Sequence, residues 1–500
     1  MEHFVSISVQ QKMRSVETVL GVLMMMAVAR AEDWPVWGGK NRDFIVNTSG
    51  LADSWPASGP KKLWTRPLGD GYSAIAEDGG LLYTAFRRGL NDVITALDAG
   101  TGKTVWEYSY INLFTSDFSE KVGPGPYAMP QVIGDRVVAA SATGKIHSLN
   151  KKTGKLVWSH DLYGEFHATH LVYGYSSEAL PYKDTLIFMA GGNGDGAIAL
   201  RQSDGAVVWK ALQFTNSYSS PLLINVDGQP QVAFVAAKTI FGFNPDNGAL
   251  LWAHPHDTPY GIAISTPVWA PGNLLFVASA YGLGARTLEL HQAGGKTTVK
   301  QLWSDPHLEL HFGTAILRDG YVYLSSGYNG PVLVSAVELN TGKIAWRQRG
   351  FSKAQLVWGD GKIILADEDG TLALCRASPK KFEVLSSVSL LQNIAWTPPT
   401  LVGTRLYLRD RKRIMALELG KSITAEWRGR KMGDSLLCPR GAKPAPGDSQ
   451  AVPIFSRASQ NEPNGPLFSY ISRICSMCLE LTYSFLFVQV YQGRAVGGVG

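Results

Sequence analysis

Cysteine is almost missing from this sequence: only Cys375, Cys438, Cys475 and Cys478 carry a thiol, three of them beyond residue 430. A chain without cysteine in its first 374 residues has no disulfide framework there, so a buried core must hold its body. Charge of one sign is missing too. Of 47 Lys/Arg and 41 Asp/Glu, 3 and 2 lie in the first 31 residues and 8 and 4 from Arg428 on, which leaves 36 and 35 between. A body so balanced gives no electrostatic footprint for nucleic acid. Long apolar runs are scarce as well. "VLGVLMMMAVA" near the start and "MCLELTYSFLFVQVY" near the end are both short for a membrane span.

The first of these runs follows Lys12 and Arg14 and precedes "ARA" ending at Ala31. Basic, apolar and small-residue segments in that order read as a secretory signal over residues 1–31, whether translation starts at Met1 or Met13. No cysteine follows to accept a lipid. The mature protein is therefore expected to be periplasmic or secreted, without an integral membrane segment.

Glycine and tryptophan are plentiful, with 53 and 14 residues. One glycine pair lies in "ALDAGTGKTVW", Ala96 to Trp106, whose centre looks like a phosphate-binding loop. That loop needs glycine where Leu97 stands, and a helix where "TVWEYSY" reads as a strand. The likeness fails on both counts.

The stretch instead recurs. "SLNKKTGKLVW" at Ser148, "ALRQSDGAVVW" at Ala199, "GFNPDNGALLW" at Gly242 and "AVELNTGKIAW" at Ala336 repeat it, and a degenerate copy ends at Trp303. Each copy is a strand, a polar turn with glycine and a second strand ending in tryptophan, which is a hairpin. Upstream lies a second motif, an aromatic or apolar residue, a small one, then Ser/Thr and often proline. It begins at Tyr72, Tyr127, Tyr175, Tyr218, Ile264, Phe312, Phe351 and Ala395. After most copies comes an alternating strand such as "LLYTAF", "TLIFMA" or "YVYLSS". Four short antiparallel strands in about 45 residues make a propeller blade. Eight copies predict an all-β, eight-bladed propeller over residues 61–428, after a lead-in at 32–60. The seventh blade lacks the tryptophan hairpin. For the eighth, "KKLWTRPL" around Trp64 is expected to supply the outer strand from the N-terminal side, ahead of "ITAEW" ending at Trp427. Residues 429–500 lose the repeat and are expected to be a non-propeller tail, disordered or misannotated.

The repeat "ALDxxTGKxxW" resembles that of the pyrroloquinoline-quinone (PQQ) type propellers, in which the tryptophan docks between blades, over about residues 34–420. The lead-in "WPVWGGKNRDF" is similar to that of secreted bacterial members. Two branches of that resemblance imply different functions. Quinoprotein dehydrogenases hold PQQ with calcium in the central channel and carry a disulfide between adjacent cysteines, a feature this sequence lacks. The propeller subunit of outer-membrane barrel assembly is a non-catalytic scaffold with similarly compact blades.

The recurring tryptophans Trp64, Trp106, Trp158, Trp209, Trp252, Trp303 and Trp346 are read as blade-docking groups, since a ligand site would not need so many equivalent copies. The blade-start motif should bring Tyr72, Ser73, Tyr127, Tyr175, Ser176, Tyr218, Ser219, Ser265, Phe312, Phe351 and Trp396 to one channel mouth. There they either pack the tapered inner strands or contact a ligand. His254 with His256 and His307 with His311 share strand faces, yet spacing supplies no third ligand, so no metal site is expected. The expected function is a monomeric binding or scaffold module with a protein partner or a small-molecule or glycan ligand. PQQ-dependent oxidation of an alcohol or sugar is the alternative.

Overall fold

A computed structural model describes residues 32–116 and 123–421. The signal-like segment, the strand candidate ending at Trp427 and the tail from 429 lie outside the described residues. Eight blades of four antiparallel strands follow one another along the chain, the seventh joined by a fifth, parallel strand from the lead-in. Blade one is built from Ala76–Asp78, Leu81–Arg88, Asn91–Asp98 and Thr104–Ile111. Blades two to seven begin at Gln131–Ile133, Leu180–Tyr182, Leu222–Val226, Val268–Ala270, Ala315–Arg318 and Ala354–Gly359.

Blade eight is formed by Thr400–Val402, Arg405–Arg409 and Arg413–Glu418, and its outer strand is Lys61–Pro67 from the N-terminal side. Trp64 pairs with Ala416 there. Ring closure therefore joins residues more than 340 positions apart. A buried arginine holds the seam: Arg409 Nη1 donates to Ser73 O, Thr84 Oγ1 and Ala85 O at 2.9 Å, and Nη2 donates to Gly71 O at 2.7 Å.

The opening turn explains the repeat. Asp98 Oδ1 accepts from the Thr101 backbone N at 2.8 Å and from its hydroxyl at 2.7 Å, while Gly102 supplies φ +70°. Asn150, Thr153 and Gly154 build the same turn in blade two. The glycine has a second duty. A Cβ on Gly154 would stand 2.5 Å from the Trp106 ring, and one on Gly102, Gly205, Gly248 or Gly342 would strike the tryptophan of the preceding blade. Each tryptophan thus lies flat on the next blade's turn, and its indole N–H donates to a carbonyl there: Trp106 to Lys151, Trp158 to Gln202, Trp209 to Pro245, Trp303 to Leu339 and Trp64 to Ala99.

Two blades depart from the rule. Trp252 docks on its own blade, with its indole donating to Gln231 Oε1 at 2.7 Å over the bare face of Gly242. Blade five explains this, because its hairpin runs out through two ten-residue strands, Gly284–Ala293 and Lys296–Asp305, and leaves Gly294 and Gly295 in open space. In blade seven Ser386 occupies the tryptophan position beside the bulge at Leu374 and Cys375. The lead-in covers it, and the Trp55 backbone N donates to Ser386 Oγ at 2.8 Å.

The lead-in also crosses the ring axis. Trp34 exchanges two backbone hydrogen bonds with Glu77 of blade one, and Pro35 O accepts from Val132 of blade two. Trp37 Nε1 then donates to Thr266 Oγ1 before blade five, on the opposite side of the ring, at 2.9 Å. Ile45–Val46 pairs in parallel with Trp358 and Gly359 of blade seven. One end of the axial channel is closed by this segment.

Candidate functional site

Every blade begins with a loop that descends into its innermost strand, so eight such loops meet around the axis. Their small polar residues tie each blade to the next. Ser177 donates to Ser219 O, Ser219 to Ser265 O, Ser265 to His311 O, Thr314 to Leu356 O and Thr397 to Tyr72 O, over 2.8 to 3.1 Å. The hydroxyls of the blade-start motif are therefore largely committed to the ring.

The aromatic residues of the motif divide. Tyr72, Tyr127, Tyr218, Phe312 and Trp396 line a cavity of about 620 Å³, together with Ser176 and Ser265. Four others from the same motif do not. Tyr175 is fully buried in the core beneath, Ser73 and Ser219 are buried between strands, and Phe351 lies over a separate shallow depression beside Arg349. The alternation of the extended chain accounts for part of this, since neighbouring residues face opposite ways.

Around the mouth the rings form a chain. Tyr127 stacks on Tyr72 at 6.2 Å, Tyr72 on Trp396 at 4.9 Å, and Trp396 tilts against Phe312 at 5.2 Å. His311 continues it at 5.0 Å, with Tyr281 and Tyr328 beyond. Tyr281 and Tyr328 belong to turns between the second and third strands of blades five and six, which carry no repeat signal. Sequence reasoning missed them for that reason. It also missed Glu178, which stands in "YSSE" where the next blade has "YSSP", the one local sign that this position is special.

Glu178 is fully enclosed. Its carboxylate accepts from the Met129 N at 3.1 Å and from Ser220 Oγ, so one acid links blades two, three and four. Burial pushes its pKa up. At the cavity floor, Arg42 of the lead-in reaches Gln131 Oε1 and Ala179 O at 3.4 Å each, and burial lowers its pKa to about 10. The mouth phenols and imidazole are held in their neutral forms. Burial raises Tyr72 and Tyr218 to about 12 and lowers His311 to about 4, Lys353 adding to the last shift. Tyr281 and His311 share a hydrogen bond at 2.9 Å. Such a lining can stack against and hydrogen-bond a visitor, while these phenols and this imidazole are far from the acidity that proton transfer near pH 7 asks for.

The histidine pairs do not converge. His256 Nε2 is held by Ser279 Oγ at 2.9 Å, His254 lies 3.4 Å from Gln301 Oε1, and the His307 N is bound to Asp305. Among the described residues no group of three or more His, Cys, Asp or Glu is placed to hold a metal. A calcium-bound quinone would need a cage of ionised oxygen ligands. The cavity's carboxylates, Asp43 and Glu178, are engaged by backbone or hydroxyl donors and pushed toward neutrality, so the residues present do not fit that group. Cys375 is buried in blade seven.

Eight blades, seven of them carrying the tryptophan, around an aromatic cavity define a propeller of the PQQ-repeat class. The chain belongs to the family described as outer membrane protein assembly factor BamB, whose profile matches residues 90–348, just over half of it. Outer membrane protein assembly factor BamB of Yersinia pestis is 27% identical over 335 residues, covering 65% of this chain and 70% of that protein. Polyvinylalcohol dehydrogenase of a Pseudomonas species is 23% identical over 320 residues, covering 59% of this chain and 43% of that protein. Among solved structures, BamB from Moraxella catarrhalis matches with a TM-score of 0.51 at 19% identity, over 72% of this chain and all of that one. Quinohemoprotein alcohol dehydrogenase from Comamonas testosteroni matches at 0.55 and 12%, over 85% of each. These structural likenesses speak for the fold.

Proposed function

We propose that this protein is a periplasmic, non-catalytic propeller that serves outer-membrane protein assembly by docking a protein partner on its mouth face. The observation that supports this most is where large apolar side chains reach solvent outside the blade edges. Leu90, Leu113, Val172 and Tyr260 are each more than 60% exposed. Three of these adjoin cavity-lining residues, since Phe114 beside Leu113 meets Tyr127 edge-on, Val172 precedes Tyr173 and Tyr260 meets Tyr281 edge-on, while Leu90 occupies the turn of blade one that corresponds to that of Tyr281 in blade five. Apolar groups gathered on one face mark a surface that a partner covers.

In the source cell, deletion of the gene is expected to lower the level of outer-membrane β-barrel proteins, and a Leu113→Lys, Tyr260→Asp double variant is expected to restore it only partly. Full restoration by that variant would remove the mouth face from the function. A second reading, PQQ-dependent oxidation of an alcohol or sugar, draws on the dehydrogenase relative. It requires the purified protein to retain quinone absorbance and turn over with PQQ and calcium added, and the carboxylates described above argue against that outcome.

A further inference from the structure

The docking face leaves the cavity behind it unexplained, and the cavity has an asymmetry of charge. Its lining includes Arg42 and Asp43 from the lead-in, Glu178, His311 and Lys353. The two acids already accept hydrogen bonds from Ile45, Met129 and Ser220, and His311 shares one with Tyr281. Lys353 at the mouth is shared with Glu368 at 3.3 Å. Arg42 at the floor is different. Its Nε and Nη2 are buried, and although the Glu178 carboxylate is near enough to hold its pKa up against burial, Arg42 makes no ion pair with a described residue. Its Nη1 has only two long hydrogen bonds of 3.4 Å, and its Nε and Nη2 have no partner among the described residues. Buried guanidinium N–H groups left unpaired are costly, and an oxyanion is the partner their planar fork fits best. Both atoms lie within the wall, so a ligand meets them after a rotation of the guanidinium that such long bonds resist weakly.

Between floor and mouth the wall is apolar, with Leu222, Ile262, Ile264 and Val268, and the volume of about 620 Å³ suits a molecule of two or three rings. We propose that the cavity binds a small anionic molecule with an apolar ring-bearing body, its carboxylate or sulfonate on Arg42 and its body among the mouth rings.

The test uses the full-length mature protein and two probes of the same shape, 8-anilinonaphthalene-1-sulfonate and its uncharged analogue N-phenyl-1-naphthylamine, titrated by fluorescence. The sulfonate should saturate one site per chain and bind about tenfold tighter than the neutral analogue, as expected when one charge-assisted contact separates them. Arg42→Met should bring the two affinities together by weakening the sulfonate alone. Ser176→Trp, which fills the cavity from a lining position, should abolish both without changing the melting temperature. Equal affinity of the two probes for the unaltered protein, or sulfonate binding that survives Ser176→Trp, would overturn the proposal, and neither outcome depends on Arg42→Met folding.

Discussion

The rim of the disc and its mouth face are made from the same 45-residue unit, yet they obey different rules. At the rim, one tryptophan, one bulge and one glycine turn recur, and a departure is answered locally, by Gly242 of the same blade for Trp252 and by the lead-in for Ser386. At the mouth, the hydroxyls still repeat as ties between blades, while the rings beside them differ in size, depth and partner. The contrast follows from what each region must satisfy. Inter-blade packing is the same problem solved at every seam, whereas a surface for a partner has no reason to be symmetric.

The seam that closes the ring should be the most fragile. Arg409→Ala strands the carbonyls of Gly71, Ser73 and Ala85 inside the blade eight to blade one junction, and should cost about 3 kcal/mol or more of stability in denaturant unfolding. An ordinary seam can be probed with two glycines of similar backbone. Gly154→Ala meets the Trp106 ring, while Gly134→Ala, at φ +59°, meets nothing within 4 Å. The first should lose about 2 kcal/mol and the second about 1 kcal/mol, the difference being the tryptophan dock. Equal losses would mean the glycine serves only its turn.

Acidity gives the smallest effect. His147 at a blade seam and His311 at the mouth are both held at about 4, against 6.5 for free imidazole, by burial. The folded protein therefore binds fewer protons than the unfolded chain between those values, and stability falls as pH drops from 6.5 to 4. Glu77, beneath the lead-in, is raised by burial to about 7 and opposes this, because its contribution is lost as pH rises from 4.5 to 7. Glu77→Gln should steepen the acid loss of stability, and His311→Gln should flatten it, each read as the slope of the melting temperature against pH.

The two regions were unequally legible in the sequence. Blade number, hairpin turns, the docking role of most tryptophans and the closure by Trp64 could all be read there, because each recurs or completes a count. At the mouth, Tyr72, Tyr127, Tyr218, Phe312 and Trp396 were found through their motif, but so were Tyr175 and Phe351, which the loops turn elsewhere. Arg42, Trp37, Tyr281 and Tyr328 carried no signal, since a lead-in that occurs once and turns that vary have nothing to be compared with. Residue spacing reports periodic contacts and is silent about a segment that crosses the axis.

In the proposed function the mouth face, not the polar turn face, meets a partner. A photo-crosslinking residue placed at Leu113 or Tyr260, and for comparison at Lys152 in an opposite turn, tests it in intact cells. Adducts with an outer-membrane assembly protein at the first two positions and none at the third are predicted. Adducts at Lys152 alone would contradict it.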